Sequence, residues 1–184
     1  HESCDAAVIA AFGDPGLPGA RELFDIPVVG MGEAAMLTAC MLGGRFAIVT
    51  FATALGPWYQ ESVDLLKLGA RCAGIRMLDQ SFQSISDVQD EKEDMLVELA
   101  NRTIAETEAD AIILAGAPLA GLAARVKHRI PVPVVDQIQA AVRQAETLAA
   151  LKLRKAVTGT FRRPAAKPTI GLPEGLARRI EHGD

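Results

Sequence analysis

Carboxylates, hydroxyls and backbone amides next to glycine and proline are the groups most able to do chemistry in this sequence. Asp14 follows Phe12-Gly13 and precedes Pro15-Gly16. It can act as a base or orient a substrate amide, although Asp before Pro-Gly is first of all turn and helix-capping chemistry. Glu33 opens a helical stretch after a strand end, where a carboxylate either interacts with the helix dipole or faces a cleft. Thr50, followed by Thr53 and Tyr59, puts a hydroxyl at the carboxyl end of a strand, suited to bond a carboxylate. Trp58 and Tyr59, the one Trp and one Tyr of the chain, can wall a pocket, with packing as their default role. Asp136 ends another strand and serves equally as cleft residue or N-cap.

Other reactive types carry less. Cys4, Cys40 and Cys72 are an odd number, widely spaced and without a CxxC pair, so neither a disulfide framework nor a zinc ribbon is written here. They read as small buried hydrophobes. His128, between Lys127 and Arg129, reads as a solvated cap at a helix C-terminus, and His1 and His182 stand at the chain ends. No spacing of His, Cys, Asp or Glu suggests a metal site, and no glycine run has the dinucleotide or P-loop form. The expectation is no metal and no cofactor. Arg162-Arg163 is too small a basic patch for nucleic acid; it either attracts an anionic substrate at a cleft mouth or is solvated.

Strands alternating with helices must position these groups. Apolar runs 6–12, 26–30, 45–50, 72–78, 111–114 and 132–135 read as strands. Helices are expected at 20–23, 33–42, 58–68, 88–106, 119–127, 137–151 and 174–180, with an irregular tail from 158 to 170. That order predicts an α/β fold with parallel sheets covered by helices. With 49% hydrophobic residues and a net charge of −4, the 184-residue chain is neither disordered nor a general nucleic-acid binder. No apolar run approaches the roughly 20 residues that span a bilayer. A cytoplasmic protein is expected by elimination. Stretch 34–42 is apolar nearly all round, which predicts cover from a second copy, a homo-oligomer. Because an apolar strand begins almost at once after His1, residues ahead of it are expected.

The sequence also matches itself. Residues 5–35 run Asp-Ala-Ala-Val-Ile-Ala-Ala-Phe-Gly-Asp-Pro to Ile26-Pro27-Val28-Val29 and Ala34-Ala35. Residues 110–141 run Asp-Ala-Ile-Ile-Leu-Ala-Gly-Ala-Pro to Ile130-Pro131-Val132-Pro133-Val134-Val135 and Ala140-Ala141. Two strand–turn–helix–strand–helix units of like construction predict two similar lobes facing across a cleft. Ala11 and Gly116 are the facing positions, with Phe12 and Gly13 on one side and Ala117 and Pro118 on the other. Backbone N–H groups of two such turns can hold a carboxylate or a ring carbonyl.

Four motifs together carry a resemblance: Phe12-Gly13-Asp14-Pro15-Gly16-Leu17, Pro27-Val28-Val29-Gly30-Met31-Gly32-Glu33-Ala34, Arg45-Phe46-Ala47-Ile48-Val49-Thr50 and Lys167-Pro168-Thr169-Ile170-Gly171-Leu172. In this order, over nearly the whole chain, they resemble the hydantoin racemase branch of the aspartate/glutamate/hydantoin racemase superfamily. The resemblance implies two similar lobes, each a small parallel sheet flanked by helices, with a cofactor-free ligand cleft between them. It places residues 1–43 and 152–184 in one lobe, lacking its first strands, and 44–151 in the other. A hydantoin, allantoin or amino-acid derivative is the implied partner, held near Ala11, Phe12, Gly13, Glu33, Thr50, Gly116, Ala117 and Pro118. The implied chemistry is proton transfer between two thiols, yet the two family cysteine positions are here Ala11 and Gly116. No catalytic group is therefore assigned. Three accounts stay open: carbanion chemistry such as isomerisation or decarboxylation by other groups, a non-catalytic small-molecule binder, or an altered copy of an active sequence. Restoring Ala11→Cys and Gly116→Cys together is expected to bring back racemisation if the cleft is intact.

Overall fold

The computed structural model describes residues 4–78 and 88–183; His1 lies outside them. Six strands, all parallel to their neighbours, form two sheets among the described residues. β1 (Ala7–Ile9) pairs with β2 (Val28–Gly30), and a four-stranded sheet has the order β4-β3-β5-β6. Its strands are β3 (Phe46–Thr50), β4 (Cys72–Met77), β5 (Ala111–Ala115) and β6 (Val134–Asp136). β3 and β5 lie between two neighbours each, and every residue in both is buried, which is why they are written as unbroken apolar runs.

Seven α-helices accompany the two sheets among the described residues. They are α1 (Leu17–Leu23), α2 (Met31–Leu42), α3 (Gly56–Leu65), α4 (Val88–Thr107), α5 (Leu122–Val126), α6 (Gln137–Leu151) and α7 (Glu174–Glu181). Alternate residues of β3 and β5 divide between two cores, because strand side chains point to opposite faces. Phe46, Ile48, Ala111 and Ile113 face a core completed by α2, α3 and α6. Ala47, Val49, Ile112 and Leu114 face a second core with α4 and α5. The first core continues into the smaller sheet through Val29 and Phe12, so the two lobes share it. Ala34, Ala35 and Ala39 of α2 and Ala140, Ala141 and Ala145 of α6 let these helices pack together at its centre. A leucine at Ala141, which is fully buried, would overpack this contact at a cost of about 1–3 kcal/mol.

Several boundaries differ from the sequence expectation for physical reasons. The run 6–12 yields a strand of only three residues, because Asp14 N–H donates to the Ala11 carbonyl at 2.9 Å and closes a turn early. Phe12 therefore lies in that turn. The stretch 119–127 is not one helix. Gly116 and Pro118 start a 3-10 turn over Ala117–Leu119, and α5 begins only after Gly121 at φ +84°, a left-handed conformation open to glycine. α2 buries Met31, Ala34, Ala35, Met36 and Ala39 within the chain, while Leu37, Met41 and Leu42 remain exposed. Its cover thus comes chiefly from α6 and β5.

Between α6 and α7 the tail runs without regular structure across α1. Lys155 Nζ donates to the Phe24 carbonyl at 3.1 Å, Arg179 Nε donates to the Leu23 carbonyl at 2.7 Å, and Arg179 pairs with Asp25 at 2.7 Å.

Candidate functional site

The turn after β1 is built around Asp14. Its backbone sits at φ 48°, and its carboxylate accepts the N–H groups of Gly32 at 2.9 Å and Glu33 at 2.7 Å. Asp14 thus caps a helix, as turn chemistry suggested, but the helix is α2 and not the adjacent α1, whose start has no side-chain cap. The α2 terminus packs directly on the turn: a Cβ on Gly32 would lie 2.0 Å from the Phe12 carbonyl oxygen. Burial outweighs the two amide bonds and pushes the Asp14 carboxyl up to about 6. Glu33, in the first turn of α2, is ion-paired with Arg21; Arg21 Nη1 donates to Glu33 Oε1 at 3.1 Å and Arg21 Nε to the Val28 carbonyl at 2.9 Å.

These groups line a cavity of about 280 Å³. Gly13, Asp14, Arg21 and Glu33 form its polar side, and Leu17, Pro18, Ser62, Leu65, Leu66 and Phe161 complete the wall. Gly13 also carries Trp58, since a Cβ there would lie 1.8 Å from the indole Cε2.

A different arrangement surrounds the second turn. Gly116 has φ +113°. Its N–H donates to Gln137 Oε1 at 2.7 Å, and its carbonyl accepts from Gln137 Nε2, so one fully buried amide side chain holds both backbone groups. A Cβ on Gly116 would lie 2.6 Å from Phe51 Cε1 and 3.4 Å from the Tyr59 hydroxyl. Tyr59 fills the space between the turns. Its ring centroid is 4.6 Å from that of Phe12, and its hydroxyl bonds Thr50. Burial pushes the Tyr59 phenol up to about 12. Thr50 Oγ1 donates to the Ala115 carbonyl at 2.8 Å, so this buried hydroxyl serves the protein interior.

The eight positions expected near a ligand therefore fall into separate groups. Gly13 and Glu33 line the cavity. Phe12, Thr50 and Gly116 pack around Tyr59. Ala11 is half-buried at the start of the first turn, Ala117 is exposed and Pro118 half-buried. The Pro118 carbonyl accepts from Gln89 Nε2 at 2.8 Å. Asp136 N-caps α6, accepting the Gln139 N–H at 2.9 Å and the Gly121 N–H at 2.5 Å. His128 is exposed on a 3-10 turn, and Arg163 Nη2 binds the Arg179 carbonyl within the tail. The cysteines are less buried than a core reading supposes: Cys4 is exposed because it precedes β1, and Cys40 and Cys72 are half-buried.

Sequence reasoning missed Arg21, Gln137, Phe51 and Phe161 as shapers of these turns. Gln137 carried a usable signal, standing first after a strand end at the start of a helix; Phe161 lies in the irregular tail and carried none. Among the described residues, no group of three or more His, Cys, Asp or Glu is placed to hold a metal ion, and no helix is long and apolar enough to cross a membrane.

Two lobes of parallel sheet are joined through a common helical core, with Tyr59 bridging the strand-end turns at Phe12 and Gly116, the build of a two-lobed α/β protein. A family model described as Asp/Glu/Hydantoin racemase matches residues 1–145, and the chain belongs to that family. It is 33% identical over 178 residues to a hydantoin racemase of Pseudomonas sp., covering 97% of this chain and 72% of that protein. Allantoin racemase from Klebsiella pneumoniae superposes with a TM-score of 0.84 at 34% identity, over 92% of this chain and 69% of that one. Allantoin racemase from Pseudomonas fluorescens gives 0.85 at 32% identity, over 93% and 73%.

Proposed function

We propose that this chain is a cofactor-free, racemase-like isomerase that moves a proton next to the carbonyl of a small cyclic amide or amino-acid derivative, with hydantoins and allantoin as the first candidates. The observation that carries the reading is the match, over more than nine-tenths of the chain, to hydantoin and allantoin racemases at 33% and 34% identity. The two-thiol mechanism implied by the resemblance is unavailable, because Ala11 and Gly116 carry no titratable group. Asp14 is the group at the first turn able to take a proton. Its carboxyl borders the 280 Å³ cavity and is pushed up by burial to about 6, close to the range in which a general base works at neutral pH.

The lobes are assigned as residues 1–43 with 152–184, and 44–151, related by a repeat of 5–35 in 110–141. Like parallel pairing, one residue apart in separation, supports the repeat: Ala7, Val8 and Ile9 face Val28, Val29 and Gly30, and Ile112, Ile113 and Leu114 face Val134, Val135 and Asp136.

A non-catalytic binder is the second reading, favoured by the tight packing of Phe12 and Tyr59 between the turns. Single enantiomers of allantoin and of 5-substituted hydantoins, incubated with the protein in deuterated water, distinguish the two. Loss of optical rotation and of the α-proton signal above the buffer rate, abolished in Asp14→Asn, supports the isomerase. Binding without exchange supports the binder.

A further inference from the structure

We infer that Phe161, delivered by the C-terminal tail, is a specificity-determining residue whose partly exposed ring forms part of the wall of the 280 Å³ cavity and selects small amides bearing an aryl group. This rests on reading that cavity as the ligand site. Asp14 and the Arg21–Glu33 pair form one end of it, while Leu65, Leu66 and Phe161 supply hydrocarbon. A ligand there meets carboxylate acceptors, the Arg21 guanidinium and, beside it, the Phe161 ring, a lining that complements an amide group carrying an apolar substituent. The volume sits near the lower end of the roughly 300–1,000 Å³ typical of small-molecule sites, which suits one small ring with a substituent and excludes a folded peptide.

Phe161 is held in place from two directions. Its ring centroid lies 5.9 Å from the Arg21 guanidinium carbon, within cation–π reach. Arg21 is itself fixed by Glu33 and by the Val28 carbonyl at 2.9 Å. The tail on either side is tied down, by Lys155 to the carbonyls of Arg21 and Phe24 and by Arg163 to the Arg179 carbonyl. An aromatic wall anchored before the ligand arrives loses little freedom on binding, so its contact appears in the affinity.

Trp58 rests on Gly13, a wall residue, so its fluorescence reports on the cavity. The full chain, Phe161→Ala and Phe161→Leu are titrated with two pairs of probes: phenylacetamide and acetamide, and 5-benzylhydantoin and unsubstituted hydantoin. The expected result is that each aryl probe binds about tenfold more weakly to Phe161→Ala, that the unsubstituted probes are unaffected, and that Phe161→Leu recovers part of the loss. Equal weakening within a pair, an aryl preference that survives in Phe161→Ala, or no aryl preference in the unmodified protein overturns the inference. If phenylacetamide behaves as expected while neither hydantoin binds, the role of Phe161 stands and the hydantoin reading falls. Unchanged thermal unfolding of both variants shows that lost affinity is not lost fold.

Discussion

Adding a side chain at Gly116 tests how the second turn is built. The backbone there is at φ +113°, and a Cβ would lie 2.6 Å from Phe51 Cε1. An L-residue forced into such a conformation is strained by about 1–3 kcal/mol, and overpacking against a buried ring adds about 1–3 kcal/mol. The backbone cannot shift to relieve either, because Gln137 holds both the N–H and the carbonyl of Gly116. Gly116→Ala is therefore expected to cost about 2–6 kcal/mol. For a chain of this length that is a fall in melting temperature of about 5–20 °C, read by thermal unfolding followed by circular dichroism and by urea denaturation. A cycle with Phe51→Leu separates the two parts. Removing ring volume relieves the clash and leaves the backbone strain, so the two substitutions couple favourably by about 1–3 kcal/mol. A Gly116→Ala variant as stable as the parent, or a cycle with no coupling, would refute this account of the turn. The same geometry revises what Ala11→Cys with Gly116→Cys is expected to do. That pair inherits the strain at 116, and racemisation by restored thiols is expected only when Phe51 is also made smaller.

Asp14, pushed up to about 6 by burial from 3.8, holds its proton more tightly in the folded chain. Its contribution to stability is thus fully present below about pH 4 and is lost as pH rises through about 6, by about 1–2 kcal/mol once solvent screening of this partly exposed group is allowed for. Asp14→Asn should flatten urea-unfolding stability between pH 4 and 7; an unchanged pH slope would contradict that. Gln137→Leu leaves the Gly116 N–H and carbonyl buried without their side-chain partner and is expected to cost about 2–5 kcal/mol by urea denaturation. Arg21→Met removes the partner of Glu33 and the cation over Phe161, and should lower aryl-probe affinity measured by Trp58 fluorescence and lower the melting temperature as well, because Glu33, only 16% exposed, loses its partner and the Val28 carbonyl loses its donor.

The order of elements was legible because β3 and β5 are nearly continuous apolar runs that open directly after a charged residue, Arg45 or Asp110, and because α4 alternates acidic and apolar residues at helical spacing. Helix starts and ends next to Pro57, Gly43 and Asp136 followed from local chemistry for the same reason. Contacts between elements were not legible. Asp14 finds its partners 18 and 19 residues away only because β1 and β2 lie side by side and bring the α2 terminus over the first turn. Gly116 and Gln137, 21 residues apart, meet through the β5–β6 pairing in the same way. That Tyr59 would occupy the space between the turns depends on where α3 docks, which no local pattern encodes. Phe161 reaches the cavity through a tail whose path is set by isolated bonds from Lys155, Arg163 and Arg179, and such bonds leave no periodic trace.

Whether this chain moves a proton without thiols is tested most directly by α-proton exchange of enantiopure allantoin and 5-substituted hydantoins in deuterated water, before and after alkylation with iodoacetamide. Cys4, Cys40 and Cys72 stand at neither turn, so exchange above the buffer rate should persist after alkylation. No exchange by a protein that binds these compounds, or exchange lost on alkylation with the fold intact, would contradict it.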